Sequence, residues 1–303
     1  VLEIKETGPW TVNHYEREGR LHLARGTGGK EVICDVIFPA MHGTFAEDGT
    51  LQGMLELAMV PFVGAGMAGS LLGMDKDVAK RLVRQAGVPV VPWIDVSREQ
   101  WDSGQNAVLK RAMNDLDLPF FVKPVKAGSS VGVSKVHGED EFAPAMEKAF
   151  RFDNRVLVET GYDVDEIECS VLGNQEPKAS VPGRIIPRHE FYSYESKYID
   201  PEGADLEIPA RISDEQARTV REYAVKVYRA LQCAGMARVD FFLTLDSGRV
   251  FFNEINTLPG FTSISMYPKL WEASGIPYPE LIDRLIELAF EKHERISRLE
   301  WEL

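Results

Sequence analysis

The rhythm of apolar and polar positions changes several times along the chain, and each change marks an element. EVICDVIFPAMHG begins as a short apolar strand and ends at His42 and Gly43, and EDGTLQGMLELAMV repeats its apolar residues at helical spacing. VPFVGA predicts a second strand, and MAGSLLGMDKDVAKRLVRQAG a helix that stops at Gly87, with Pro89 and Pro92 beyond it. Strands alternating with helices predict an open α/β layer. The opening VLEIKETGPWTV predicts a strand and a turn, while the segment on to Lys30 is polar and gives no periodic signal.

From Val88 the texture becomes α+β: VPVVPWIDV, a helix around Trp101 to Asp115, a strand pair within FVKPVKAGSSVGVSKV, the helix EDEFAPAMEKAFRF and the strand RVLVET. After Gly161 come EIECSVLGN and a long loop from Gly183 to Leu206, rich in Tyr, Pro and charge. ISDEQARTVREYAVKVYRALQ is an amphipathic helix, followed by a hairpin, an irregular stretch to Pro268 and the closing helix YPELIDRLIELAFEKHERI.

Composition narrows the chemistry. The chain has 303 residues, enough for two or three domains, and 47 acidic against 34 basic residues give a net charge of -13. That balance argues against a nonspecific nucleic-acid or anionic-membrane surface, so any anion site must be a local cluster of Lys and Arg. Cys34, Cys169 and Cys233 lack zinc or disulfide-framework spacing and fit a reducing cytoplasm. Leu57 to Met74 is uncharged, but Pro61 and four glycines interrupt it and Asp75 and Lys76 follow, which argues against a membrane helix.

The hairpin MARVDFFLTLDSGRVFFNEIN is the most informative segment. Asp246-Ser247-Gly248 is a turn sequence, and if Leu245 faces Arg249, Asp240 lies opposite Glu254 and Arg238 opposite Asn256, all four on one face. Directly facing carboxylates repel unless a cation sits between them, and two carboxylates with an amide suit Mg²⁺; a solvated hairpin face is the alternative. Lys123 precedes a loop containing Gly128, Ser129, Ser130 and Gly132, the kind of loop that cradles phosphate, and Lys76 follows the glycine-interrupted run. Lys197, in YSYESKY, lies where a lid can close over phosphate. Glu159 and Glu166, near a strand end, can accept from ribose hydroxyls or an adenine amino group. Gly64, Gly66 and Gly69 fit G-x-G-x-x-G, but the acidic partner about 20 residues on is missing, so these small residues are expected to serve close packing instead of a dinucleotide.

HGTFAEDGTLQG, MDKDVAKRL, FVKPVKAGSSVGVSKV, VLVETGYDVDEIECSVLGN, FYSYESKYID, GMARVDFFL and NEINTLPGFTSISMYPKLW, in this order, resemble the D-alanine:D-alanine ligase family of ATP-grasp enzymes from about Val36 to the C-terminus. The resemblance implies an ATP-grasp fold, an N-terminal open α/β domain (residues 1–75) followed by two α+β domains (76–163 and 164–303) clasping ATP. It implies Lys76, Lys123 and Lys197 at the ATP phosphates, Glu159 and Glu166 at adenine and ribose, and Asp240, Glu254 and Asn256 holding two Mg²⁺ ions, a role Mn²⁺ can also take. It places His42, Arg238, the Gly260 N–H and Ser265 at the D-alanine substrates, and has Ser129 and Tyr198 join the loop to the lid. The implied product is D-alanyl-D-alanine for peptidoglycan, made by a cytoplasmic homodimer that associates through its N-terminal domain. The intact YxYxxKY pattern from Tyr192 to Tyr198 favours the dipeptide over a D-lactate or D-serine product; a nucleotide-binding protein without ligase activity is the alternative from another class. The family opens on a strand, a glycine-rich turn and a glutamate that orients the first D-alanine. The chain from Val1 is expected to lack that segment, since Arg25 to Glu31 is glycine-rich but stands before a later strand.

Overall fold

The computed structural model describes residues 11–15, 21–24, 31–187, 204–262 and 264–300. The first part is an antiparallel meander, β1 (Thr11–Tyr15), β2 (Leu21–Ala24) and β3 (Glu31–Cys34), after which Ile37 bridges Phe62 in parallel. α1 (Thr50–Leu57) follows, then α2 (Met67–Met74) and α3 (Lys76–Gln85), where the periodicity predicted a single helix. Asp75 divides them. Its backbone is extended and its side chain accepts the Val78 N–H, capping α3 at the point where α2 runs out. The G-x-G-x-x-G segment serves packing, as expected: a Cβ on Gly69 would come within 2.7 Å of the Gln232 carbonyl oxygen.

β4 (Trp93–Ser97), α4 (Arg98–Asp115), β5 (Phe120–Pro124), β6 (Ser134–Val136), α5 (Glu139–Ala149) and β7 (Arg155–Thr160) form the central unit. Its antiparallel sheet has the order β4-β7-β5-β6. Ser97 and Gln100 cap α4 reciprocally, satisfying two backbone donors that the helix cannot. Trp101, Phe142 and Met146 from α4 and α5 pack on Phe120, Val156 and Val158, burying one face of the sheet. Strand alternation sends Arg155, Leu157 and Glu159 to the other face.

The last unit contains β8 (Val164–Leu172), β9 (Lys178–Ala179), β10 (Gly183–Pro187), β11 (Ala204–Glu207), α6 (Asp214–Ala230), β12 (Met236–Thr244), β13 (Val250–Asn256), α7 (Met266–Ala273) and α8 (Tyr278–Ser297). The sheet order is β11-β10-β8-β12-β13, with β9 beside β8. Val220, Ala224, Val227 and Tyr228 of α6 cover Cys169, Val239, Phe241 and Phe252, each large side chain contributing roughly 1.5–3 kcal/mol on burial. Ala79 and Val83 of α3 enter the same core. α7 replaces the irregular stretch expected before Pro268. That proline lies in the first turn, where a helix makes no use of the missing N–H, and Tyr267, Leu270 and Trp271 bury the inner side. Among the described residues, no helix is long and apolar enough to cross a membrane.

Candidate active site

Hairpin β12–β13 gathers the expected chemistry on the face away from α6. Asp240 lies opposite Glu254 and Arg238 opposite Asn256. The turn itself differs from the sequence expectation: Thr244, not Leu245, faces Arg249, its N–H donating to the Arg249 carbonyl at 3.0 Å. A bulge then intervenes, because Asp240 pairs with Glu254 but Phe241 pairs with Phe252. The extra residue, Asn253, restores the register at the carboxylates.

β8 adds a third carboxylate to the row by pairing Glu168 with Asp240. Arg238 relieves their repulsion. Its Nε donates to Asp240 Oδ1 at 2.8 Å and lies 2.9 Å from Glu168 Oε2, while Nη2 donates to Asp240 Oδ2 at 2.7 Å. Burial opposes the guanidinium charge, but Asp240 and Glu168 outweigh it and hold the Arg238 pKa well above its ordinary value. Asn256 Nδ2 donates to Asp240 Oδ2 at 3.0 Å, and Glu254 lies 3.7 Å from Lys76 Nζ. Among the described residues, no three His, Cys, Asp or Glu side chains form a ready-made metal cluster. Asp240, Glu254 and Asn256 instead offer a partial set of hard oxygen donors. Such a set fits Mg²⁺, which completes its shell with phosphate oxygens and water.

A cleft of about 370 Å³ opens above this face, lined by Lys76, Lys123, Glu159, Glu166, Asp240 and Glu254, with Phe121, Tyr162 and Phe242 as apolar walls. Lys76 Nζ donates to the Ala127 carbonyl at 2.7 Å, at the start of the glycine–serine loop. Ser129 and Ser130 have φ of 53° and 59°, a left-handed conformation that costs about 1 kcal/mol or more per non-glycine residue. It is Ser130 that lines the cleft, with Ser129 beside it in the loop. A larger open groove of about 770 Å³ along α6 contains none of the expected site residues.

His42 Nδ1 donates to the Leu258 carbonyl at 3.1 Å, tying the segment before α1 to the end of the hairpin. Nearby, Ser265 Oγ accepts the Thr262 N–H at 3.0 Å, and a Cβ on Gly260 would come 2.7 Å from that oxygen, so a side chain at position 260 would displace the hydroxyl. Lys197 and Tyr198 lie outside the described residues.

Three residues of the site escaped the sequence reading. Glu47 lines a small cavity of about 30 Å³ with Lys76, Gly128, Glu254 and Asn256, and accepts the Gly43 N–H at 2.5 Å. Burial raises its pKa above the usual carboxylate range, against the lowering effects of that hydrogen bond and His42. Glu168 is the second partner of Arg238; as i+2 from Glu166 it shares that residue's strand face, a signal present in EIEC. Lys80, one helical turn after Lys76, is 1% exposed and its Nζ lies 3.0 Å from Glu159 Oε2. Lys123 Nζ pairs with the other Glu159 oxygen.

Burial alone would raise the Glu159 pKa, but Lys123 and Lys80 bring it down to about 2. Its folded pKa is thus depressed, so its contribution is present above the unfolded value near 4.5 and is lost as pH falls from there towards 2. Glu159→Gln is expected to destabilise the protein by about 3 kcal/mol at pH 7, with the deficit shrinking through this window. Urea midpoints for both proteins from pH 7 to 3 would measure it, and a deficit independent of pH would refute the ionic assignment.

The comparisons with known proteins follow the same line. The family described as D-ala D-ala ligase C-terminus matches residues 82–287, and D-ala D-ala ligase N-terminus matches residues 4–65. D-alanine–D-alanine ligase A of Bradyrhizobium diazoefficiens is 46% identical over 327 aligned positions, covering 99% of this chain and 88% of that protein. The structure of the D-alanine-D-alanine ligase from Coxiella burnetii superimposes with a TM-score of 0.84 at 40% identity, over 96% of this chain and 76% of that one. The VanG D-Ala:D-Ser ligase from Enterococcus faecalis gives a TM-score of 0.81 at 38% identity, over 93% of this chain and 79% of that one.

Proposed function

The chain belongs to the D-alanine–D-alanine ligase family, and from that premise we propose how its residues join two D-alanines with ATP to make the dipeptide precursor of peptidoglycan. ATP lies in the cleft with its phosphates at Lys76 and Lys123, joined by Lys197 as the third phosphate contact of this reading, and its adenine and ribose towards Glu159 and Glu166. Asp240, Glu254 and Asn256 would hold two Mg²⁺ ions. Bound there, Mg²⁺ supplies neutralising charge at the phosphates.

The observation that carries this reading is the pairing of Asp240 with Glu254 on the same cleft face as Lys76 and Lys123. The carboxylate of the first D-alanine attacks the γ-phosphorus, releasing ADP and leaving an acyl phosphate. The amine of the second attacks the acyl carbon, loses a proton and expels phosphate. Arg238 and the Gly260 N–H stabilise the tetrahedral oxyanion, while His42 and Ser265 hold substrate groups and Ser129 and Tyr198 connect loop and lid. Arg238 meets both Asp240 and Glu168, so Glu168 would still hold the guanidinium with Asp240 shared with a metal ion.

Residues 1–75, 76–163 and 164–303 form the three functional units of this reading. Exposed Phe45, Met54, Leu57, Met67 and Leu71, on α1, α2 and the preceding loop, support a homodimer through the first unit. The intact YxYxxKY pattern supports D-alanine as the second nucleophile, whereas the likeness to a D-Ala:D-Ser ligase makes D-serine the competing choice.

Phosphate release from Mg-ATP is measured with D-alanine alone, and with D-alanine plus D-serine or D-lactate, the products being identified by mass. One D-alanyl-D-alanine per phosphate is expected in each mixture. A mixed product in excess would overturn the nucleophile assignment; ATP binding without phosphate release would overturn ligase activity.

A further inference from the structure

Helix α3 begins at Lys76, and the residues on either side of that lysine are both acidic. One side chain of the central sheet grips the two of them. Arg155 Nη1 lies 3.0 Å from Asp75 Oδ2, and Nη2 lies 2.6 Å from Asp77 Oδ2 and 3.0 Å from Asp95 Oδ2. The other Asp77 oxygen accepts from Trp93 Nε1 at 2.9 Å and Arg81 Nε at 3.0 Å. The backbone of Arg155 reaches the same lysine by a second route: Val125 N–H donates to the Arg155 carbonyl at 3.1 Å, and Lys76 N–H donates to the Val125 carbonyl at 3.2 Å.

We propose that Arg155 is a positioning residue which, through Asp75 and Asp77, fixes the start of α3 and thereby the place where the Lys76 ammonium meets the ATP phosphates. A lysine head on a flexible four-carbon stem is only as well placed as the backbone that carries it. Asp75 is the cap of α3 and Asp77 its first-turn acid, so holding both sets the position and direction of the helix. A planar guanidinium can bridge two carboxylates at once; an ammonium at the same place cannot keep that fork. Asp75 and Asp77 are buried, so this grip is little screened on their side, and without it the three aspartates face one another. Farther along, Lys80 and Glu159 form a second clasp of opposite polarity between α3 and β7, so the Arg155 side chain acts on the N-terminal turn, where the Trp93 bond to Asp77 and the Lys76 N–H bond to the Val125 carbonyl assist it.

The inference rests on the reading that Lys76 contacts phosphate, and the test separates the two. Affinities for ATP and for adenosine, which has no phosphate, are measured in the full chain and in Lys76→Met, Arg155→Met, Arg155→Lys and the double variant Lys76→Met with Arg155→Met. Arg155→Met is expected to weaken ATP about tenfold, leave adenosine unchanged, and add nothing once Lys76 is Met. Arg155→Lys should fall between Arg155→Met and wild type, and it supplies the same comparison if Arg155→Met does not fold. Equal losses for ATP and adenosine, full additivity with Lys76→Met, or unchanged ATP affinity would each reduce Arg155 to a stabilising ion pair. If Lys76→Met alone leaves ATP affinity intact, the phosphate role of Lys76 fails first and the inference falls with it.

Discussion

Asp240→Asn is expected to lower turnover by about 10³-fold or more while leaving a folded protein, because it keeps the side-chain shape and removes the charge at the centre of the carboxylate row. Asp240 meets Arg238 and Asn256, and it pairs across the sheet with both Glu254 and Glu168. Hard-oxygen coordination at the phosphates is worth several kcal/mol of transition-state stabilisation, and each 1.4 kcal/mol is about tenfold in rate. Glu254→Gln should act in the same direction. Turnover at saturating ATP and D-alanine, with far-UV circular dichroism as the folding control, measures both. Near-normal rates in the two variants would remove the hairpin from the chemistry.

Arg238→Met is expected to cost about 10²- to 10³-fold in turnover and also to destabilise the protein by roughly 3–5 kcal/mol. The two losses have different causes. The first follows from removing the donor proposed for the developing negative charge; the second from leaving Glu168 and Asp240, buried and paired across the sheet, with no guanidinium between them. Dipeptide formed per phosphate released should fall in the variant, since the oxyanion arises in the second step. A fall in phosphate release with unchanged coupling would move Arg238 to the phosphoryl step instead. A double variant, Arg238→Met with Glu168→Gln, should recover part of the stability and none of the rate.

The hairpin shows how a site can be legible for an incomplete reason. Alternation and the turn sequence placed Asp240 against Glu254, and that pairing is present. Yet the turn is offset by one residue, and the bulge at Asn253 cancels the offset. A bulge is a response to the twist and packing of a whole sheet, so the residues of one hairpin do not announce it. The division between α2 and α3 is a different case: Asp75 is a recognisable cap, but the apolar spacing continues across it. α7 was hidden because Pro268 speaks for irregular structure unless the helix is known to start just before it.

The sequence by itself determined the strand and helix order of the central unit, the family, and the residue types that line the cleft, because these follow from local periodicity and from motifs whose spacing is contiguous in the chain; in the C-terminal unit β10 and β11 stand at the ends of the stretch expected to be a loop, and with β9 and α7 they emerged only in the fold. Beyond the hairpin, only the tertiary structure decided which charges confront one another. Glu168 beside Asp240, Lys80 beneath Glu159 and Arg155 across Asp75 and Asp77 are contacts between segments far apart in sequence. Coulomb interaction and desolvation depend on distance and burial in space, and neither quantity exists until the sheets have paired and α3 has been laid against them.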